Sequence, residues 1–199
     1  MIALAAVVGY LIGSVPTAVW LGKLWGVDLR RGGSGNPGAN NARRLGGPTL
    51  AILVLLVEVT KGLAAVAAGL LIADETGAMV AGLGAVTGNV FNLWYGFQGG
   101  KGLGIGGGVL LGLWPTMFPP AVIVLSLASA LSRSTGVGSL VTLGGLLVGA
   151  ILWEQAGLEN PWGVADSARL LVLAFGLGVV IGPKHWRDAR RRLTSPAPP

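Results

Sequence analysis

The chain has 199 residues, of which 52% are hydrophobic and only 11% are charged, and its mean hydropathy is +0.71. This composition excludes an ordinary soluble domain and predicts a protein that crosses the membrane several times, since one crossing needs about 20 apolar residues. The formal net charge of +6 comes from basic residues beside apolar runs, which indicates membrane topology and not nucleic-acid binding. With no cysteine and one histidine, disulfides and zinc sites built from thiolates or several histidines are excluded, and we expect no metal and no cofactor.

The apolar runs predict the membrane helices in chain order. We expect helices at 2–22, 49–72, 77–94, 137–153 and 167–182, with a further long apolar stretch at 103–131. Pro115, Pro119 and Pro120 interrupt that stretch, so it is either one kinked helix or a hairpin of two short helices. The first run has no basic residue before Lys23, which favours a retained span over a cleaved signal peptide.

The distribution of charge favours seven spans over six, in a single domain covering 1–199, with the N-terminus outside and the C-terminus in the cytoplasm. In that arrangement the inner side collects Lys23, Arg30, Arg31, Arg43, Arg44, Lys101, Arg133, Lys184, Arg187, Arg190, Arg191 and Arg192. The outer loops receive Asp74, Glu75, Glu154, Glu159 and Asp166. The two halves of 103–131 are short for a span, so we expect them to be tilted, re-entrant or packed within the bundle. The last few residues are expected to form a disordered tail.

Small residues recur at the spacing that lets two helix backbones approach closely in lipid. Such pairs occur at Gly9/Gly13, Gly84/Gly88, Gly145/Gly149 and Gly178/Gly182. We expect close helix packing at these positions.

The first polar stretch, 33–44, lies between two apolar runs and is predicted to be a loop that cradles an anion. Glycines at Gly33, Gly35 and Gly38 allow positive φ and expose N–H groups, while Ser34, Asn36, Asn40 and Asn41 add neutral donors. Arg43 and Arg44 follow, and an arginine fork matches phosphate or carboxylate oxygens. The alternative is an ordinary basic membrane loop whose glycines only make turns.

The second polar stretch, 97–104, comes directly before a predicted helix and contains Gly99, Gly100, Lys101 and Gly102. A helix N-terminus favours an anion, and the lysine would supply a mobile positive charge. It is not a Walker A loop, because a glycine and not serine or threonine follows the lysine. The alternative is a lysine that only sets the membrane topology.

Two further groups of charged residues stand out. Glu58 and Lys61 are three positions apart within a predicted span, and therefore on one helix face, where they either brace the bundle or take part in function. His185 lies in a basic tail that also suits attraction to anionic lipid.

Taken together, these stretches resemble the bacterial acyl-phosphate:glycerol-3-phosphate acyltransferases, a family of small seven-span membrane enzymes. The likeness covers most of the chain, from Tyr10-Leu11-Ile12-Gly13-Ser14-Val15-Pro16 and Asp28-Leu29-Arg30 through GSGNPGANNARR at 33–44 and Lys61-Gly62 to Gly88-Asn89-Val90-Phe91, the segment 96–102 and His185. The first polar stretch is the most specific of these matches.

The resemblance implies transfer of a fatty acyl group from acyl phosphate to the 1-hydroxyl of glycerol 3-phosphate, giving lysophosphatidic acid and phosphate, at the cytoplasmic side of the bacterial cell membrane. By motif, Ser34, Arg44, Lys101 and His185 match the family's catalytic residues. The substrate-binding positions are expected at Gly33, Gly35, Asn36, Gly38, Asn41, Gly99, Gly100, Gly102 and Ser139. The expected partners are the two substrates, membrane lipids and functionally an enzyme that produces acyl phosphate.

The chain departs from the family pattern at several of these positions. The family usually has His at Asn89, Pro at Asn92, Lys at Gln98, Asp at Glu58, Ser at Gly136 and Asn at Asp188. These departures leave open a paralogue with another acceptor. A small transporter of organic anions is the alternative from another class.

Overall fold

The computed structural model describes residues 1–160 and 167–194. Asp166, the side chain of Arg192 and the expected tail at 195–199 lie outside the described residues. The described part of the chain consists of helices and loops: α1 Ile2–Ser14, α2 Thr17–Leu24, α3 Ala39–Val90, α4 Leu103–Leu113, α5 Phe118–Ser132, α6 Thr135–Gln155 and α7 Ser167–Thr194. Short 3₁₀ turns occupy Leu93–Tyr95 and Pro115–Met117.

The span predicted at 2–22 is present as the apolar stretch Ile2–Leu24, but the helix is broken within it, between α1 and α2. Val15 adopts an extended conformation with ψ 121°, and Pro16 caps the start of α2. A residue before proline avoids the helical region, so the proline forces this break. The carbonyl group of Val15 is thereby released from helical hydrogen bonding.

The long helix α3 contains two interruptions that divide it into three parts. Gly47, with φ 82°, separates an entry segment, 39–46, from a first limb, 48–72, and the non-helical residues Ala73 and Asp74 separate that limb from a second limb, 75–90. The two limbs match the helices expected at 49–72 and 77–94, although the second ends at Val90. Residues 39–44 are helical, which corrects the prediction that the whole of 33–44 is a loop.

The apolar stretch 103–131 divides at Trp114, where φ is −143° and ψ is 66°. This excludes one continuous kinked helix and leaves α4 and α5 as separate helices. The helix α6 matches its predicted range, whereas α7 continues through Pro183 into the basic tail as far as Thr194.

Within the described residues, five helical stretches are long and apolar enough to cross a membrane: Ile2–Leu24, Ala39–Tyr95, Pro115–Ser132, Thr135–Gln155 and Ala168–Arg191. The helix α4 is apolar but shorter. The prediction of an all-helical membrane protein is confirmed, and seven spans with the N-terminus outside stay a prediction.

The chain forms two compact units, Met1–Leu113 and Trp114–Pro199. In the first unit, α1 packs against the second limb of α3 at backbone distance. A side chain on Gly9 or Gly13 would collide with the backbone of Ala81 or Ala85, and one on Gly88 with that of Tyr10. The close packing predicted for these small residues is confirmed, and α1 runs parallel to the second limb.

The first limb packs in the same way against α4. A Cβ atom at Gly62 would collide with the backbone of α4, and one at Gly108 with the carbonyl oxygen of Val59. The contact of Gly69 with Gly77 shows that the two limbs of α3 form an antiparallel hairpin. Because the hairpin reverses at Ala73 and Asp74, the first limb begins at the same end of this unit at which the second limb stops.

In the second unit, the start of α6 packs against α7, and Trp114 makes an edge-to-face contact with Trp153 at 5.6 Å between ring centroids. The predicted packing at the other glycine pairs is largely wrong. Apart from the adjacent residues and the nearby backbone of the same helix, no atom of the described residues lies within 4 Å of a Cβ atom placed at Gly145, Gly178 or Gly182.

Candidate active site

Two polar loops meet at one end of the Met1–Leu113 unit: the first loop, 25–38, and the lysine loop, 96–102. The Arg30 Nη1 atom donates a hydrogen bond to the carbonyl oxygen of Gln98 at 2.8 Å. The guanidinium carbon of Arg30 also lies 3.9 Å from the centroid of the Tyr95 ring. A Cβ atom at Gly100 would lie 3.8 Å from the Pro37 carbonyl oxygen. The structure therefore brings the two glycine-rich stretches together.

The first loop is shaped by the side chain of Asn41, which is buried at the start of α3. Its Oδ1 atom accepts from the N–H of Ser34 at 2.9 Å, and its Nδ2 atom donates to the carbonyl oxygens of Leu29 at 2.9 Å and Gly32 at 3.1 Å. Both N–H donors of the amide are used within the protein. Asn41 therefore organises the loop and is not available as the anion donor that the sequence predicts.

The glycines of the first loop shape the backbone near Asn41. Gly33 has φ 59°, and a Cβ atom there would collide with the Asn41 side chain. Gly35 has φ 68°, and the N–H of Gly38 donates to the carbonyl oxygen of Asn36 at 2.9 Å. These contacts require glycine at 33 and give the loop one defined shape.

Ser34 and Arg44 lie on the exposed side of this structure. The Arg44 Cδ atom lies 3.4 Å from the position of a Cβ atom on Gly33, so the arginine stem passes close to the loop backbone. Asn41 and Arg44 share a helix face because they are three residues apart. The buried amide thus fixes the helical turn from which the Arg44 side chain extends.

Asp28 stabilises the other end of the first loop. Its Oδ1 atom accepts from the backbone N–H groups of Arg30 at 2.9 Å and Arg31 at 3.2 Å. The hydrogen bond from the Arg30 backbone, more than any other interaction, holds the pKa of the Asp28 carboxyl below its ordinary value. This turn orients Arg30 towards the lysine loop.

The lysine loop is attached to the end of α3 by its backbone. The N–H of Gly99 donates to the carbonyl oxygen of Val90 at 3.1 Å, and that of Gly100 to Asn89 at 2.9 Å. A Cβ atom at Gly99 would collide with the Asn89 carbonyl oxygen. The N–H groups of Gly99 and Gly100 therefore hold the loop in place.

Lys101 follows these glycines and is partly buried. Gly102 has φ 80°, and its carbonyl oxygen accepts from the N–H of Gly106 in the first turn of α4 at 2.8 Å. The prediction that the lysine stands directly before a helix is confirmed. Its position next to a helix N-terminus is favourable for an anionic ligand.

A small, partly open cavity lies between the two loops and the α1/α2 break. Its wall is apolar at the helix break and polar elsewhere: Val15, Pro16, Ala18, Val19, Pro37, Glu58, Asn89, Asn92, Tyr95, Gly99 and Gly100. The sequence analysis did not identify Asn92 or Tyr95 as site residues, nor Arg30, which stacks on the Tyr95 ring. The available signal was a pair of asparagines, at 89 and 92, at the end of an apolar helix.

Four polar residues beside this cavity form what we call the Glu58 cluster: the buried Glu58 and Lys61 and the partly buried Thr17 and Asn89. Glu58 and Lys61 are only 7% and 8% exposed, and the Lys61 Nζ atom lies 3.0 Å from Glu58 Oε1. Thr17 donates to the same carboxylate at 3.1 Å and Asn89 at 2.7 Å. Lys61 also donates to the Val15 carbonyl oxygen at 2.8 Å, which the helix break has released.

Ser139 and His185 lie in the other unit, Trp114–Pro199, and both are buried there. The Ser139 hydroxyl donates to the carbonyl oxygen of Thr135 at 2.7 Å, within its own helix. A Cβ atom at Gly136 would lie 2.9 Å from the His185 carbonyl oxygen and 2.9 Å from the Asp188 Cβ atom. The close approach of α6 and α7 accounts for glycine at 136 in place of the serine expected from the family pattern.

Comparison with known proteins gives consistent matches over most of the chain. A family model described as glycerol-3-phosphate acyltransferase matches residues 3–195. A glycerol-3-phosphate acyltransferase of Synechococcus sp. (strain JA-3-3Ab) is 39% identical, over 98% of this chain and 91% of the relative. The enzyme of the same name from Symbiobacterium thermophilum is 37% identical, over 94% of this chain and 88% of the relative.

Two crystal structures also match the fold. Both are of PlsY (YgiH), described as an integral membrane glycerol 3-phosphate acyltransferase, one in the glycerol 3-phosphate form and one in the lysophosphatidic acid form. Each has a TM-score of 0.80 and covers 97% of this chain and 92% of the solved chain, at 26% and 25% sequence identity.

Proposed function

Since the chain belongs to the glycerol-3-phosphate acyltransferase family, we propose that it transfers a fatty acyl group from acyl phosphate to the 1-hydroxyl of glycerol 3-phosphate. The products are lysophosphatidic acid and inorganic phosphate. The observation that carries this proposal is the contact between the first loop and the lysine loop beside one cavity. Two substrates that both carry phosphate suit two loops that each present a cation.

The reaction needs positioning and charge stabilisation more than a protein nucleophile, because acyl phosphate is already an activated anhydride. The hydroxyl oxygen attacks the acyl carbon and forms the ester bond, while the bond from that carbon to the phosphate oxygen breaks. The hydroxyl proton passes to a phosphate oxygen, and phosphate leaves. Arg44 and Lys101 balance the negative charge, and the Ser34 hydroxyl donates to a substrate oxygen.

The glycine and amide positions of both loops support these groups. Gly33, Gly35, Asn36 and Gly38 curve the first loop so that Ser34 and Arg44 stay exposed to substrate. Gly99, Gly100 and Gly102 hold the lysine loop so that Lys101 stands directly before α4. The acyl chain lies among the apolar helices, in contact with lipid.

The motif match extends the proposal to Ser139 and His185. Both residues are buried, so their variants need a test of folding beside the test of activity. We expect Ser139→Ala and His185→Asn to lower acyl transfer while the purified protein keeps its unfolding temperature. Full activity in either variant would remove that residue from the proposed site.

The cellular setting follows from the same proposal. The positive-inside distribution of charge favours a site facing the cytoplasm of a bacterial cell. The acyl donor is then supplied by an enzyme that makes acyl phosphate on that side of the membrane.

The decisive experiment measures acyl transfer from palmitoyl phosphate to glycerol 3-phosphate by the purified protein in detergent. We expect phosphate release only when both substrates are present, with strong loss in Arg44→Ala and Lys101→Ala. Arg43→Ala is the matched control, because Arg43 is exposed and adjacent to Arg44. Release that does not require the acceptor would contradict the proposal.

Two other results would indicate a different function. Transfer to a different hydroxyl compound, but not to glycerol 3-phosphate, would indicate a changed acceptor. Movement of an organic anion into vesicles without formation of lysophosphatidic acid would indicate a transporter.

A further inference from the structure

Two of the positions at which the chain departs from the family pattern, Glu58 and Asn89, form a hydrogen bond with each other. The Asn89 Nδ2 atom donates to Glu58 Oε2 at 2.7 Å, although the residues are 31 positions apart. Glu58 lies on the first limb of α3 and Asn89 on the second. The two departures therefore concern one contact between the limbs.

This contact continues into the lysine loop. With its amide nitrogen bonded to Glu58, Asn89 turns its Oδ1 atom to within 2.9 Å of the position of a Cβ atom on Gly100. The backbone carbonyl oxygen of Asn89 accepts from the N–H of Gly100 at 2.9 Å. Asn89 thus contacts the residue directly before Lys101 through both its side chain and its backbone.

The carboxylate of Glu58 is itself held from several sides. The Lys61 Nζ atom lies 3.0 Å from Glu58 Oε1, and the Thr17 hydroxyl donates to the same oxygen at 3.1 Å. The base of the Glu58 side chain packs against α4, since a Cβ atom placed on Gly104 would lie 3.0 Å from Glu58 Cβ. A buried ion pair contributes little to stability compared with apolar packing, but its directional contacts define a geometry. A carboxylate fixed in this way gives Asn89 one preferred orientation.

We propose that Glu58 and Asn89 are a positioning pair that sets the place of the lysine loop, and through it that of Lys101, relative to the cavity. The glutamate has one methylene more than aspartate and reaches the short asparagine, where the family pattern has a shorter acid and a longer imidazole. The two departures compensate each other. The effect on catalysis rests on the proposed function, whereas the effect on the loop does not.

The first test measures hydrogen exchange by mass spectrometry on the purified protein in detergent. In Asn89→Leu, which removes the side-chain hydrogen bond, we expect faster exchange in peptides covering 99–102 and unchanged exchange in peptides covering 33–38. Thr17→Val is the matched control, because it removes another donor to the same carboxylate without touching the lysine loop. Unchanged exchange at 99–102 in Asn89→Leu would overturn the proposal, as would an equal increase in the control.

Glu58→Asp provides a second variant that keeps the charge beside Lys61 but withdraws the carboxylate from Asn89. It should give the same increase in hydrogen exchange at 99–102. Unchanged exchange at 99–102 in this variant would also count against the positioning pair. This variant keeps the test usable if the larger side chain of Asn89→Leu prevents folding.

The second test is an exchange of both partners, read as kcat and KM for palmitoyl phosphate and glycerol 3-phosphate. Glu58→Asp and Asn89→His should each lower kcat/KM about tenfold, since misplacement of a catalytic group by about 1 Å costs up to 100-fold. The double variant should recover to within about threefold of the original enzyme. Losses that simply multiply in the double variant would show that the residues do not act as a pair.

The two tests separate the positioning pair from the proposed function. An original protein without acyl transfer, but with the expected change in exchange, would contradict the function and support the pair. Active protein whose Asn89→Leu variant keeps its kcat/KM and its exchange pattern would overturn the pair and leave the function intact.

Discussion

The first loop and the lysine loop carry the same kinds of residue but are held in place differently. The first loop is shaped by near neighbours, since the Asn41 side chain bonds to positions 7, 9 and 12 residues away. The lysine loop bonds through its backbone to Val90 and Asn89, 9 and 11 residues away, but Asn89 is itself held by Glu58, 31 residues away, and Gln98 by Arg30, 68 residues away. One loop is therefore a local structure, whereas the other depends on the tertiary fold.

The largest expected effect is in the lysine loop, where Gly99→Ala tests this dependence. The added Cβ atom would collide with the Asn89 carbonyl oxygen, so the loop must move away from α3. We expect kcat/KM for acyl transfer to fall by about 100-fold, the cost of a displacement near 1 Å.

The control for this variant is Gly96→Asn in the same loop. Gly96 has φ 58°, and apart from its two chain neighbours no atom of the described residues lies within 4 Å of an added Cβ atom. Asparagine tolerates this conformation. Similar losses in both variants would show that the loop responds to any substitution, and the contact with α3 would lose its importance.

The same difference explains how much of the site could be predicted from the sequence. The first polar stretch was identified because glycines, asparagines and arginines lie within a few positions, so their arrangement is local. Even there, the role of Asn41 was assigned wrongly, since residue type does not reveal that its donors face inward. Arg30 and Tyr95 were missed because their contact exists only after α1, α2 and the α3 hairpin have packed.

A second prediction addresses the first loop through Asn41→Ala. This change leaves the N–H of Ser34 and the carbonyl oxygens of Leu29 and Gly32 without their partner. The loss should destabilise the protein by about 2 kcal/mol, in line with unpaired groups in a partly buried loop. Thermal unfolding in detergent measures it.

Asn40→Ala is the matched control, because Asn40 is the exposed neighbour at the start of the same helix. Hydrogen exchange should rise at 29–38 in Asn41→Ala and stay unchanged at 99–102. An equal rise in hydrogen exchange at 29–38 and at 99–102 would show that the first loop is not a local structure.

The fold, like the site, could be predicted from the sequence only in part. Runs of apolar residues located the helices, because burial in lipid depends on composition over about 20 positions. The break at Pro16 was missed even though proline supplied the signal, since the apolar run continues through it. The glycine pairs differ in their packing. Gly9 and Gly13 contact the second limb of α3, whereas a Cβ atom added at Gly178 or Gly182 would have no described atom within 4 Å outside the adjacent residues and the nearby backbone of its own helix.

A third prediction concerns the contact that joins the two loops. Arg30→Lys keeps the charge but loses the planar guanidinium that stacks on Tyr95 and donates to the Gln98 carbonyl oxygen. Each of these contacts contributes about 1 kcal/mol at a partly exposed site, so we expect kcat/KM to fall by about five- to tenfold.

Arg31→Lys is the control, because the Arg31 side chain is exposed and its ion pair with Asp28 is long, at 3.9 Å. An equal effect of both substitutions would mean that net charge matters there and the stacked geometry does not.

The smallest effect is expected at Asp28, whose carboxylate accepts from the backbone of Arg30 and Arg31. The pKa of this carboxyl is lowered in the folded protein, so its stabilising contribution is present above the ordinary aspartate pKa of about 3.9 and disappears as the pH falls through the lower, folded value. Asp28→Ala should therefore unfold at a slightly lower temperature than the original protein near about pH 7, and this difference should narrow in acid towards the difference between Asp28→Ala and Asp28→Asn. Asp28→Asn keeps an accepting oxygen but has no charge. The difference in unfolding temperature between Asp28→Asn and Asp28→Ala should therefore not change with pH. A gap between Asp28→Ala and the original protein that does not narrow as the pH falls would show that packing, and not the ionised carboxylate, stabilises this turn.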